Sequence, residues 1–208
     1  MKNKKYELVK DDFIIYKGRK LYRIRALIDV VNAFSISKAT KGELGGYVEG
    51  YHNLSQEGSC WVFNRAKVYS NAQVVDGAVV EYDAKVYGNA KIRDYALVGG
   101  NAEIFDNARL EDNAIVEEKA KVYGNARVKD NAVVSDIAEV FGNAKIEDNA
   151  LVDGGAKVYD NAVIKERTSV YERSQVFGNA ETSENAEVRG TAKVYGNTVV
   201  DGYSVYAG

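Results

Sequence analysis

A chain of 208 residues is long enough for one substantial domain, and its net charge of −2 excludes a molecule that is a polycation or a polyanion overall. The single cysteine excludes an internal disulfide and suits a reducing compartment. The first residues, MKNKKYELVKDD, lack the apolar stretch of a signal peptide, and no apolar run of membrane-spanning length follows. We therefore expect a soluble intracellular protein that has no membrane partner.

The first predicted domain, residues 1–45, is a small basic β-hairpin cap. The segment DDFIIYKGRKLYRIRAL predicts two strands around a turn at Lys17-Gly18-Arg19. Residues 1–45 hold eleven Lys and Arg against five Asp and Glu, a net charge of +6. Two interpretations stay open: a cap on the domain that follows, or a basic contact surface for nucleic acid or an acidic protein. The candidate contact residues are Lys17, Arg19, Lys20, Arg23 and Arg25.

The second predicted domain, residues 46–208, repeats with a period of six. From about Gly58 onward a small residue, usually Ala, is followed two positions later by Val or Ile, as in Ala84 and Val86. Two residues separated by one lie on the same face of an extended strand. The pairs Gly-Asn and Asp-Asn between these positions tolerate left-handed backbone and mark turns. Each unit therefore predicts a short strand and a bend.

A second, longer period sets the number of sides. An aromatic residue follows the aliphatic position in every third unit, and an asparagine follows two positions later. A period of 18 built from units of six gives three sides per coil and about eight coils. Residues that are 18 positions apart then stack about 4.8 Å from each other along the axis. The resulting aromatic ladder is Tyr69, Tyr87, Phe105, Tyr123, Phe141, Tyr159, Phe177 and Tyr195.

The repeated unit VYGNAK resembles the hexapeptide repeat of left-handed parallel β-helices, a superfamily that includes acyltransferases and γ-class carbonic anhydrases. This resemblance implies an all-β fold, a three-sided left-handed parallel β-helix with a small N-terminal β cap. The segment LGGYVEGYHNLSQEGSCWVF, residues 44–63, resembles a Gly-Gly-aromatic-Val-Glu segment that precedes such repeats in uncharacterised phage and prophage proteins. It implies a phage or prophage origin and the cytoplasm of a bacterial host.

The residues offer little for catalysis. Hexapeptide acyltransferases generally use a histidine as general base, and the only histidine here is His52. One histidine cannot supply the three zinc ligands of a γ-class carbonic anhydrase. Cys60 lies at an inward small position, which favours a buried thiol over a nucleophile. We therefore expect no catalytic residue, no cofactor and no metal site. A divergent acyltransferase with a site between subunits stays an alternative.

The outward positions between each small and aliphatic residue define three faces. The first face reads Lys67, Lys85, Glu103, Lys121, Glu139, Lys157, Gln175 and Lys193. The second face reads Gln73, Lys91, Arg109, Arg127, Lys145, Val163, Glu181 and Val199. The third face carries five consecutive branched apolar residues, one in each coil: Val79, Leu97, Ile115, Val133 and Leu151.

This apolar column is the predicted oligomer interface. A contiguous apolar patch of several hundred Å² on a monomer commonly marks a contact with another protein. We expect a dimer or trimer. A bare ladder of strand-favouring residues and a cover by the N-terminal segment are alternatives. Similarly, the aromatic ladder is interpreted as a stabilising stack, with a tyrosine-rich binding strip as the alternative.

The expected function is therefore that of a non-catalytic, oligomeric and rigid protein-binding rod. Its expected partners are itself and a host protein or ribonucleoprotein. One task that suits a phage origin is the inhibition of a host defence complex, such as a CRISPR nuclease. A structural or scaffold component is a further alternative.

Overall fold

The computed structural model describes residues 4–31 and 38–208. Within that part of the chain every regular element is a β-strand. The N-terminal strands are β1 (Tyr6–Tyr16), β2 (Arg19–Ala26), β3 (Val30–Val31), β4 (Lys38–Ala39) and β5 (Leu44–Val48). The described residues contain no helix long and apolar enough to cross a membrane.

The strands of the coils recur at a regular short interval, and most of them are no longer than a residue pair. In chain order they are β6 (Trp61–Val62), β7 (Lys67–Val68), β8 (Gln73–Val74), β9 (Val79–Val80), β10 (Lys85–Val86), β11 (Lys91–Ile92), β12 (Leu97–Val98), β13 (Glu103–Ile104), β14 (Arg109–Leu110), β15 (Ile115–Val116), β16 (Lys121–Val122), β17 (Arg127–Val128), β18 (Val133–Val134), β19 (Glu139–Val140), β20 (Lys145–Ile146), β21 (Leu151–Val152), β22 (Lys157–Val158), β23 (Val163–Ile164), β24 (Ser169–Val170), β25 (Gln175–Val176), β26 (Glu181–Ser183), β27 (Glu187–Gly190), β28 (Lys193–Val194), β29 (Val199–Asp201) and β30 (Ser204–Ala207).

Every third strand of the coils pairs in parallel, as Lys85 does with Glu103, which confirms the longer period and the parallel β-solenoid. The first face is an eleven-stranded sheet in which β1, β2 and β5 precede β7 and its successors. The second face is an eight-stranded sheet from β8 to β29, and the third is a nine-stranded sheet from β6 to β30. The solenoid thus has about nine turns, against the eight predicted.

The predicted hairpin is confirmed and continues the first face. Strands β1 and β2 pair antiparallel, with Tyr16 opposite Arg19. Lys17 and Gly18 join them with φ of 48° and 76°, the backbone that a two-residue hairpin turn of type I′ requires. Strand β2 then pairs antiparallel with β5, which pairs in parallel with β7. The hairpin therefore supplies backbone partners to the first edge of the solenoid.

The core is a column of small and branched side chains. The inward residues Ala66 to Ala162 and Val68 to Ile164 are all fully buried. The corners between the faces hold a residue with left-handed φ in each coil, a conformation that Asp and Asn adopt more readily than other non-glycine residues. One corner column, between the second and third faces, is acidic in seven consecutive coils: Asp76, Asp94, Asp112, Asp130, Asp148, Glu166 and Glu184.

Candidate binding surfaces

The apolar column lies in register on the third face. Val79 pairs with Leu97, Leu97 with Ile115, Ile115 with Val133, and Val133 with Leu151. Val79 also pairs with Trp61, and both are buried at 2 % and 1 % exposure. The other four members are half-buried, because a neighbouring coil about 4.8 Å away covers part of each side chain.

Three exposed apolar residues at the corners widen this column, and the six-residue pattern did not predict them. Tyr95 precedes the third face at 43 % exposure, whereas Tyr82 and Ile137 follow it at 57 % and 54 %. The Tyr95 ring lies over Gly77, where an added Cβ would stand 2.6 Å from it. The residue types at these corner positions could have indicated them, because the equivalent positions of most coils carry Gly, Asn or charged residues.

The five predicted basic contact residues lie on the hairpin and each has an intramolecular partner. Arg19 forms an ion pair with Glu49 at 2.9 Å, and Arg25 with Glu7 at 3.2 Å. The other three contact aromatic rings: Lys20 lies over Phe13 at 3.8 Å, Lys17 over Tyr87 at 5.2 Å and Arg23 over Tyr47 at 4.9 Å. These contacts favour the cap interpretation, and a nucleic-acid contact by the hairpin stays a prediction.

The aromatic ladder is a continuous stack. Its consecutive ring centroids lie 4.8 to 5.5 Å apart, and the interplanar angle is at most 16°. Tyr16 of the hairpin covers the first ring, Tyr69, edge-on at 5.7 Å. At the other end Tyr195 is exposed. Because ring faces contact one another inside the stack, the ladder can offer a ring face to another planar group only at the terminal Tyr195.

The outward residue of the next coil accepts a hydrogen bond from the tyrosines inside the ladder. The Tyr87 hydroxyl donates to Glu103 at 3.2 Å, and the Tyr123 hydroxyl donates to Glu139 at 3.1 Å. Burial and the adjacent carboxylate raise the pKa of Tyr87 well above its usual value and that of Tyr123 to about 12. Burial opposes ionisation of Glu103, but donors from Lys85 and Tyr87 outweigh it and lower the Glu103 pKa.

A two-coil alternation follows from these contacts. A lysine at the outward position precedes a tyrosine in the ladder, and a glutamate or glutamine precedes a phenylalanine. Lys85 lies 2.7 Å from Glu103, and Lys157 lies 3.5 Å from Glu139. The corner after the second face alternates as well, since Arg93 contacts Glu111 at 3.0 Å and Lys129 lies 3.9 Å from Glu147. A shift of the stacked strands by one coil would therefore bring like charges together, whereas a shift by two coils would keep opposite charges adjacent.

The histidine and the cysteine considered for catalysis have structural contacts. The carbonyl of Ser70 accepts a hydrogen bond from His52 Nε2 at 2.8 Å, so this nitrogen is not available as a base. Cys60 is fully buried, as predicted, and burial raises the pKa of its thiol. The described residues include no group of His, Cys, Asp and Glu that could hold a metal ion.

The fold and its repeating corners define the class: a parallel β-solenoid built from six-residue units. A family model described as the YdcK beta solenoid repeat matches residues 120–136 of this chain. A search of curated proteins found no match. The similarity therefore supports the β-solenoid class and adds no activity.

Proposed function

We propose that this protein is a non-catalytic, rigid binding rod that self-associates through its third face. The proposal is carried by the apolar column of that face together with the exposed side chains of Tyr82, Tyr95 and Ile137 at its corners. Val79 is buried, contrary to the prediction that it lies in the interface, so the accessible part of the column runs over the four coils of Leu97, Ile115, Val133 and Leu151. Folding alone does not require exposed aromatic residues at corners, where most other coils carry polar residues or glycine.

The contacts of the hairpin argue against an intramolecular cover. In the described part of the chain, β1 and β2 extend the sheet of the first face. A second copy is the simplest occupant, because a straight column of identical spacing is complementary to itself. A closed dimer or trimer would remove the half-buried column and its flanking rings from water.

Light scattering of the purified protein tests this proposal. The double variant Leu97→Glu/Val133→Glu places two carboxylates in the apolar column, and we expect it to convert a wild-type oligomer to a monomer. The matched control is Gln73→Glu/Gln175→Glu, which introduces the same carboxylates at outward positions of the other two faces. The control keeps the oligomer. A monomeric wild type, or equal dissociation of both variants, would contradict self-association through the third face.

The proposed function also includes a partner other than a second copy of this chain. The resemblance of residues 44–63 to segments of phage and prophage proteins supports a product that acts in the cytoplasm of a bacterial host. We propose a host protein or ribonucleoprotein as its target, in particular a defence complex such as a CRISPR nuclease. Addition of the purified protein to such a nuclease would then inhibit target cleavage. Full cleavage by representatives of the nuclease types present in the host would count against this target.

A further inference from the structure

A row of like charges on the second face is not explained by folding. Lys91, Arg109, Arg127 and Lys145 occupy the outward position of consecutive coils and pair in register. Three steps of about 4.8 Å give a row about 14 Å long. Like charges directly opposite each other on neighbouring strands destabilise a sheet. From Lys85 onward the first face largely avoids this cost, and so does the corner beside Glu111, because the signs of their charges alternate.

Within the described residues, three of these four cations are unneutralised. Arg127 forms an ion pair with Glu111, which also contacts Arg93. Lys91, Arg109 and Lys145 are exposed, and within residues 4–31 and 38–208 they have no ion-pair partner. We call Lys91, Arg109, Arg127 and Lys145 the basic column.

A column of asparagines lies beside the basic column, at the corner with the first face. Each carboxamide donates one N–H to the next, at 3.0 to 3.1 Å, from Asn71 through to Asn197. A carboxamide carries two N–H groups, so one per coil is left after the ladder is made. Between the two columns runs a groove of about 280 Å³ lined by Asn107, Arg109, Asn125, Arg127, Asn143 and Lys145.

The acidic corner lies on the opposite edge of the second face. Its carboxylates are partly neutralised by backbone N–H groups and by ion pairs. The Asp94 carboxylate accepts the backbone N–H of Asp112 at 3.2 Å, and Asp112 accepts that of Asp130 at 3.3 Å. Arg93 and Lys129 further neutralise Asp94 and Asp130 at 3.5 and 2.7 Å. The groove lies on the asparagine side of the face, where its lining side chains offer N–H donors and positive charge.

We propose that this groove binds the sugar-phosphate backbone of a single-stranded nucleic acid. The non-bridging oxygens of a phosphate can accept from a guanidinium and a carboxamide together. A flexible single strand can align its phosphates along a straight row of cations. The ladder rings beside the groove, Phe105, Tyr123 and Phe141, stack on one another and offer no platform for bases. The groove therefore recognises the backbone and not the base sequence. This inference does not depend on self-association through the third face.

Fluorescence anisotropy with a labelled single-stranded oligothymidylate of twelve nucleotides tests the proposal. Arg127 is neutralised by Glu111, so three phosphate contacts are expected. The slope of log affinity against log salt is then about −2.1, and affinity falls about 18-fold between 50 and 200 mM salt. In Lys91→Gln/Lys145→Gln we expect a slope of about −0.7 and a fall of about 3-fold. The matched control, Lys121→Gln/Lys193→Gln, changes two exposed lysines at the same position of the first face and should behave as wild type.

Three results would overturn the proposal. The first is no binding by wild type at 50 mM salt, and the second is an equal loss in the control and the test variant. The third uses polyglutamate at the same concentration of charges: if it displaces the oligonucleotide completely, the basic column recognises an acidic protein segment instead. Circular dichroism of each variant shows that the fold is retained.

Discussion

Lys5 has an unusual environment for a lysine, because its side chain is buried. It is 2 % exposed, and its ammonium group donates to the carbonyls of Glu57, Gly58 and Cys60 at 2.9 to 3.3 Å and to Cys60 Sγ at 3.1 Å. Burial lowers the pKa of Lys5. These carbonyls belong to the first coil, whose backbone has no preceding coil to bond with. The side chain therefore acts as a cap within the N-terminal end of the solenoid.

Replacement of Lys5 by methionine tests this capping role. The Lys5→Met variant keeps the length of the side chain but removes every donor, which leaves buried carbonyl oxygens without a partner. We expect a loss of about 1–3 kcal/mol in the free energy of unfolding. Urea denaturation measures it, with the exposed Lys10→Met in β1 as the control. Equal midpoints for Lys5→Met and wild type would show that the ammonium group is not needed as a cap.

Among the elements, the aromatic ladder links packing to pH. Burial raises the pKa of Tyr69, Tyr87 and Tyr123, whereas an unfolded chain ionises tyrosine near pH 10. Above about pH 10 the unfolded state loses protons that the native ladder retains, so native stability falls as pH rises. The stability contribution is fully present below the unfolded value, and that of Tyr123 is lost once the pH passes about 12.

A tyrosine-to-phenylalanine exchange in the ladder should flatten this pH dependence. In Tyr123→Phe the ring stack is preserved, but one of the protons retained at high pH is gone. We expect its urea midpoint to fall less than that of wild type between pH 8 and pH 11. Tyr203→Phe, 77 % exposed and outside the ladder, is the control and should follow wild type. An identical fall in all three proteins would mean that Tyr123 does not contribute to the alkaline loss of stability.

At the scale of the whole molecule, the repeat made most of the fold predictable. The six-residue spacing of Ala84 and Val86 and their equivalents gave the inward column, and the threefold longer period gave the stacking order. The hairpin was predictable because Lys17-Gly18 is local turn chemistry. The half-burial of the apolar column was not predictable, because the exposure of its side chains depends on neighbours that lie a full coil away along the chain. The partners of Lys5 were also beyond reach, because they lie more than 50 residues along the chain.

Which surface charges are free was not predictable for the same reason, because their ion-pair partners lie in other coils. The positions of Lys91, Arg109, Arg127 and Lys145 can be read from the sequence. Whether each of these cations is free to bind a ligand depends on which of them form ion pairs with residues of other coils. The neutralisation of the hairpin cations by Glu7 and Glu49 likewise appears only once strands are paired. Periodicity therefore predicts position well. It does not predict which charged side chains lack an ion-pair partner, because such a partner lies in a neighbouring coil.

The two-coil alternation predicts that deletion of two coils lowers the stability of the molecule less than expected from the number of residues removed. Deletion of 103–138 joins Lys85 to the coil of Glu139 and keeps opposite charges and the Tyr-Phe order. Deletion of 103–120 joins Lys85 to the coil of Lys121, so like charges meet and the Tyr87 hydroxyl loses its carboxylate. In a solenoid, stability is approximately a sum over coils and their interfaces.

We therefore expect the urea midpoint of the one-coil deletion to fall below the mean of the full-length and two-coil-deletion midpoints. The deficit corresponds to a few exposed pairs of ~0–1 kcal/mol each. A one-coil deletion that falls on or above this mean would show that the number of coils alone sets stability. The alternation of charge would then have no measurable part in holding the coils in register.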